Sequence, residues 1–347
     1  LEKGFLLTSN PAIPTLYMLP KIHKHPVNPP FRPIVTTRAS LHEPIGKFID
    51  YHLQPLVQLG GTYLKDTTDF LNKLHSIQDK DLSNVMLCTV DVKALYTSIP
   101  HSLGLEAIET ILLKNAVDHD LGIFLLTLME FTLTHSYFQW QDQCYLQLTG
   151  TSMGNCAAPA YANAFMMAYE EQHILNNPLW QEHLVCYWRF IDDIFLIWQG
   201  SESSLSTRMS ELNAVDRRLG FTHETSSTCL NFLDVSVTLQ SGCIHTNIYT
   251  KPTDRNSLLS YSSFHQQSLK NNLPFSQFLR VKRITSSHSD YIHNETMMSS
   301  RFQQRGYPSE IIQKALVKTR SIDRMDLLKS KPDKQLKIWC LFQNFQH

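Results

Sequence analysis

Two apolar runs stand back to back in the middle of the chain, Leu184–Phe190 and Ile194–Trp198, joined only by Ile191-Asp192-Asp193. Runs this short, bounded by a tight acidic turn, read as a β-hairpin whose strands are buried rather than as helices. A buried hairpin needs a sheet and a core around it, so the chain is committed to packing antiparallel strands. Asp is a common turn former. Two adjacent carboxylates between apolar strands nevertheless repel each other unless a cation neutralises them.

The remainder of the chain can supply that core. Of 347 residues 42% are hydrophobic and 10% aromatic, which excludes disorder as the main state, and with 12 Gly and 16 Pro collagen-like and low-complexity classes fall away too. The longest apolar runs are far below the roughly 18 residues of a membrane span. Leu1-Glu2-Lys3-Gly4-Phe5 has neither an initiator Met nor a secretory signal pattern and reads as the start of a fragment. The 7 cysteines lack the CxxC and Cys/His spacings of a zinc site, which predicts a reducing intracellular setting. Net charge is zero, but it is unevenly spread: residues 1–50 carry 6 basic and 3 acidic side chains, residues 51–250 carry 9 and 21, and residues 251–347 carry 16 and 7. An acidic middle between basic ends suits a metal-dependent site acting on a polyanion, and equally a solvated acidic surface.

Nine prolines up to Pro55 predict short strands and loops, without long helices, over residues 1–60. Helical spacing follows from Asp66 to Ile77, over Leu103–Leu112 and Leu121–Leu133, and in the small-residue stretch Pro159–His173; a further helix carries Leu205, Met209, Leu212 and Leu219. Strands are predicted at Val85–Val90, closing at Asp91, at Tyr137–Trp140 and Tyr145–Leu148 around Gln141-Asp142-Gln143, and at Phe232–Leu239 and Ile244–Thr250 around Ser241-Gly242. This order predicts an α+β core, a mainly antiparallel sheet backed by helices on one face. Beyond about residue 265 a basic, mostly helical unit follows.

Asp91, Asp192 and Asp193 thus stand at strand ends, where rigid elements can hold carboxylates around paired metal ions for phosphoryl transfer. The residues around them carry a resemblance. Phe190-Ile191-Asp192-Asp193, Val90-Asp91-Val92-Lys93-Ala94-Leu95-Tyr96 and, between them, Gly150-Thr151-Ser152-Met153-Gly154-Asn155-Cys156-Ala157-Ala158-Pro159 resemble motifs C, A and B of reverse transcriptases, in the family's order. Leu19-Pro20-Lys21-Ile22-His23-Lys24, Arg32-Pro33-Ile34-Val35, Lys65-Asp66-Thr67-Thr68-Asp69-Phe70, Asn231-Phe232-Leu233-Asp234-Val235 and Tyr249-Thr250-Lys251-Pro252-Thr253-Asp254-Arg255 are similar to the reverse transcriptase of Penelope-like retroelements.

The resemblance implies a right-hand polymerase: fingers over 1–84, palm strand and motif A over 85–104, a helical insertion over 105–148, palm with motifs B, C, D and a primer-grip hairpin over 149–255, and a basic helical thumb over 256–347. It implies an RNA-directed DNA polymerase using two Mg²⁺ ions, for which Mn²⁺ can substitute, with an RNA template, a DNA primer and deoxynucleoside triphosphates as partners. Asp91 and Asp192 are its expected main metal ligands, with Asp193 secondary. Lys21 and Arg32, with Lys24 and Arg38 nearby, would close over the triphosphate; Tyr96 would lie under the sugar and exclude a 2′-hydroxyl; Met153 and Gly154 would sit beneath the templating pair. The alanines that follow would give a thin helix face, as plain helix packing also would. Lys251, Arg255, Lys282 and Arg283 would hold nucleic acid. Motif D lacks the family's Lys, leaving His223 as a candidate proton donor or an ordinary surface His. Many Penelope-like proteins continue into a GIY-YIG endonuclease; nothing like it follows Ser286 here, and an endonuclease domain or partner would be additional to this chain. The expected setting is intracellular, at nuclear DNA or in the cytoplasm, without a membrane. Two alternatives stand beside this: a viral-type RNA-directed RNA polymerase, disfavoured by Tyr96 and by Ile191 where Gly is usual, and a decayed or domesticated nucleic-acid-binding copy.

Overall fold

The computed structural model describes Leu6, Thr8 and residues 10–329 apart from His23, Lys24 and Pro26, so the expectation for Lys24 lies outside the described residues. In chain order the elements are β1 (Thr15–Pro20), β2 (Phe31–Thr36), α1 (His42–Val57), α2 (Thr67–His75), β3 (Met86–Lys93), α3 (Leu95–Ser98), α4 (His101–Lys114), α5 (His119–Thr134), β4 (Tyr137–Trp140), β5 (Gln143–Leu146) and α6 (Ala158–Glu170). A π-helical turn, Glu171–Leu175, extends α6. Then come α7 (Pro178–Gln181), β6 (Leu184–Phe190), β7 (Asp193–Trp198), α8 (Glu202–Val215), β8 (Gly220–Ser226), β9 (Cys229–Phe232), β10 (Val235–Gln240), β11 (Cys243–Ile248), α9 (Gln267–Ile284), α10 (His288–Gln304), α11 (Ser309–Arg320) and α12 (Arg324–Leu328). The chain forms two compact units, one of residues up to Phe70 and Gln78–Ile244, the other of Leu71–Ile77 and residues from His245 onward.

The first unit is organised by an antiparallel sheet of order β6-β7-β3-β8. Alternation along β7 sends Ile194, Leu196 and Trp198 into a core shared with α1, α4, α5, α6 and α8. Phe195 goes the other way, with its ring 5.0 Å from that of Phe70 and 5.6 Å from that of Phe232. Beyond the expected helices on one face, Phe70 of α2 and Phe232 of β9 cover the other, which is why the strands read as unbroken apolar runs rather than alternating ones. Phe70 and Phe232 belong to two of the quoted sequence segments, and those segments also meet where Thr67 Oγ1 donates to Asp234 Oδ1 at 2.5 Å.

Other expectations shift by a few residues for identifiable reasons. A 16-residue helix, α1, stands where the prolines predicted none. Pro44 lies in its first turn, where a missing N–H costs nothing, and Pro55 in its last, where it forgoes a single bond, to the Tyr51 carbonyl, and only two residues of helix follow it. Val85–Val90 extends to Lys93, so Asp91 lies inside β3 and not at its end. The β4–β5 hairpin turns on Gln141 and Asp142 alone, at φ 50° and 62°, the left-handed pair of a type I′ turn, which moves the second strand back to Gln143. Phe232–Leu239 is broken by Leu233, at φ 54°, into β9 and β10. Leu219 is buried but lies beyond the end of α8. A second sheet, β2-β1-β4-β5, carries the proline-stiffened segments.

The second unit is helical. Phe278 and Val281 of α9, Met298 and Phe302 of α10, and Ile312 and Leu316 of α11 form its core. Among the described residues no helix is long and apolar enough to cross a membrane.

Candidate active site

Asp91 stands directly opposite Asp193 in the β3–β7 register, and the Val92 N–H donates to the Asp192 carbonyl at 3.0 Å. The turn between β6 and β7 is thus stitched to β3 beside its acid. Asp91 alternates with the buried Val90 and Val92, so its carboxylate emerges on the open side of the strand. The three acids expected to act together share one end of the sheet.

Ile191 holds the turn in the left-handed region at φ 58°, an uncommon place for a β-branched residue. A buried network behind it stabilises that geometry. Arg189 is fully buried and its Nε donates to Glu170 Oε1 at 2.5 Å; its Nη1 reaches Asn163 Oδ1 at 2.5 Å and the Ile191 carbonyl at 3.2 Å. Tyr187 and Thr62 complete the Glu170 carboxylate with hydroxyl donors at 3.0 and 2.7 Å. The guanidinium therefore ties the β6–β7 turn to α6. Sequence reasoning passed over Arg189, although a charged residue inside an apolar strand run signals a buried partner.

The electrostatics of the site join further expected residues. The Asp192 carboxyl is raised above its ordinary range, first by burial and then by the charge of Asp91, while Arg32 and Lys21 pull it down. The Tyr96 hydroxyl is pushed up to about 12, by burial first and then by Asp192, with Arg32 opposing. Asp192 hence lies within reach of the charges of Asp91, Arg32 and Lys21, and Tyr96 within reach of those of Asp192 and Arg32. Met153 and Gly154 join from the other side: the Met153 carbonyl accepts from Val35 N–H at 3.2 Å, and the Gly154 carbonyl from Thr37 Oγ1 at 2.7 Å. Gly154 has φ 143°, and a Cβ there would meet the Val35 carbonyl oxygen at 2.2 Å, so only glycine permits this approach. At the start of the same loop Thr151 N–H donates to the Tyr96 carbonyl at 2.7 Å.

Other expected residues fall elsewhere. On β8, Thr222 is the neighbour of Asp91 and His223 that of Val90, so His223 lies on the opposite face from the acid. Lys251 and Arg255 are exposed in the second unit on a loop, not a hairpin, where Asp254 pairs with Arg301 at 2.7 Å. Lys282 and Arg283 stand in the last turn of α9.

Carboxylate oxygens are the donors hard divalent cations take, and the charge of Asp91 acting on Asp192 is what a cation there would relieve. Among the described residues no group of three His, Cys, Asp or Glu closes on one point.

No curated protein matches the chain. Residues 257–316 match the animal helix-turn-helix domain, which covers α9, α10 and α11 as far as Leu316. Solved structures similar to the chain include telomerase from Candida albicans in complex with a fragment of telomeric RNA (TM-score 0.61, 11% identity, 90% of this chain and 56% of that one). The RNA-dependent RNA polymerase of a human picobirnavirus is also similar (0.59, 11%, 91% and 63%), as is apo telomerase from Candida tropicalis (0.56, 10%, 94% and 60%). The chain spans little more than half the length of these structures. Their shared architecture and the sheet described above give the chain a right-hand polymerase fold.

Proposed function

We propose that the chain is an RNA-directed DNA polymerase of the Penelope-like retroelement type, extending a primer 3′-hydroxyl with deoxynucleotides on an RNA template. The placement of Asp91 opposite Asp193 and beside Asp192 at the β6–β7 turn, with Arg32 and Lys21 acting on Asp192, carries the reading. On this reading β1–β2 belong to the fingers, the β6-β7-β3-β8 sheet to the palm and the helical unit to the thumb.

Asp91 and Asp192, with Asp193 beside them, would hold two Mg²⁺ ions, or Mn²⁺ in their place, which when bound lower the barrier to attack and leaving at phosphorus. Arg32 and Lys21 offset the charge that builds on the departing pyrophosphate. The Tyr96 ring fills the space a 2′-hydroxyl would need, which selects deoxynucleotides and separates this reading from an RNA polymerase. The Met153–Gly154 backbone, anchored to β2, forms the floor beneath the base pair. Work on an RNA template beside a DNA primer places the protein inside the cell, at nuclear DNA or in the cytoplasm.

Primer extension by the purified chain on a poly-rA template with an oligo-dT primer and Mg²⁺ or Mn²⁺ tests the reading. Deoxynucleotide incorporation supports it. Incorporation of ribonucleotides alone points to the RNA polymerase, and duplex binding without extension to a binding protein.

A further inference from the structure

A cavity of about 360 Å³ lies in the helical unit where the end of α9, the start of α10 and the end of α11 approach, and Lys282, Arg320 and Arg324 line it. Their charges are only partly balanced within the unit. Arg320 pairs with Glu295. Lys282 gives two of its three ammonium hydrogens to the carbonyls of Thr319 and Arg320, 3.1 and 3.0 Å away, at the end of α11. Arg324 has neutral acceptors: its Nε donates to the Arg283 carbonyl at 3.1 Å and its Nη2 to the Thr246 hydroxyl at 3.4 Å. Burial works against its charge, with Asp323 the opposing influence. A guanidinium cannot shed its proton, so a half-buried one without a hydrogen-bonded carboxylate favours an anion from outside.

The cavity also receives the positive end of α10, a 17-residue helix. Ser287 Oγ accepts the Asp290 N–H at 3.5 Å, and the other first-turn N–H groups have no acceptor within the helix. The hydroxyls of Ser286 and Ser287 stand at the same rim.

We propose that this cavity seats one phosphodiester of a nucleic-acid backbone. A guanidinium, an ammonium, hydroxyls and a helix end present donors from several directions, which suits a tetrahedral group with several acceptor oxygens better than a planar carboxylate. The 16 basic against 7 acidic side chains of residues 251–347 favour a polyanion over a small free ion. The assignment rests on the nucleic-acid reading above and narrows it. Lys282 is retained as a contact, Arg320 and Arg324 are added, and Arg283 contributes its carbonyl to hold Arg324.

The test uses the full chain and fluorescence anisotropy of a labelled RNA–DNA duplex across a KCl series. Ser287→Asp keeps a good helix cap and places a carboxylate in the cavity. It should leave the melting temperature unchanged or higher while weakening duplex binding about tenfold. Arg324→Gln should reduce the log–log salt slope by about 0.9, the value of one lost phosphate contact. A folded Ser287→Asp variant with wild-type affinity and slope overturns the assignment. So does broadening of inorganic phosphate in ³¹P NMR that Ser287→Asp abolishes while duplex binding stays intact, since the cavity would then hold a free anion. Asp91→Ala keeps duplex binding under both readings, so failure of the wild-type chain to extend primers counts against the polymerase alone.

Discussion

At the scale of single residues, Arg189 and Glu170 show how a buried charge pair can serve geometry more than stability. Removing one partner of such a pair leaves an uncompensated charge and costs about 3–5 kcal/mol, whereas replacing both by apolar residues is often neutral. Glu170→Leu with Arg189→Met should therefore be less destabilised in urea titration than Arg189→Met alone, though still below wild type, because the buried Tyr187 and Thr62 hydroxyls and Asn163 lose their partners. The double variant also loses the donor to the Ile191 carbonyl that steadies the left-handed turn. Its extension rate should fall by at least about tenfold with little change in duplex affinity, a split a purely structural pair would not give. Tyr96 carries the second prediction. Tyr96→Ala should raise ribonucleotide use relative to deoxynucleotide by about tenfold, roughly 1.4 kcal/mol, when the two compete on one primed RNA template. A tyrosine that only fills the core would lower both together.

At the scale of elements, the loop from Gly150 to Cys156 links β2, the start of α3 and α6. Gly154→Ala forces a Cβ against the Val35 carbonyl at an unfavourable φ, so β2 and its Arg32 must move. The expected cost is about 1–3 kcal/mol in stability, read by thermal unfolding, with a larger fall in extension than in duplex binding. Much of this architecture was legible in the chain. Leu184–Phe190 matches β6 residue for residue, because a buried strand between an acidic turn and a loop leaves little freedom. The 16-residue α1 was not legible, since Pro44 and Pro55 argue against a helix until their places in its first and last turns are known. The register that puts Thr222, rather than His223, beside Asp91 is likewise set by β3–β8 pairing across more than a hundred residues, which no local pattern encodes.

At the scale of the whole molecule, the zero net charge conceals two chemistries: an acid-bearing sheet in one unit and a cation-lined cavity in the other. The helix-turn-helix match falls entirely within the basic unit, and the segments resembling motifs A, B and C entirely within the other. The central claim is that Asp91 and Asp192, brought together by strand pairing, perform nucleotide addition. Primer extension by the wild-type chain, Asp91→Ala and Asp192→Ala, each checked for an unchanged melting temperature, tests it most directly. Each substitution should lower deoxynucleotide incorporation by at least about 10³-fold while duplex binding persists, because on the proposed reading each would delete a ligand of the charge-stabilising ions. Extension at the wild-type rate by either folded variant would contradict the assignment.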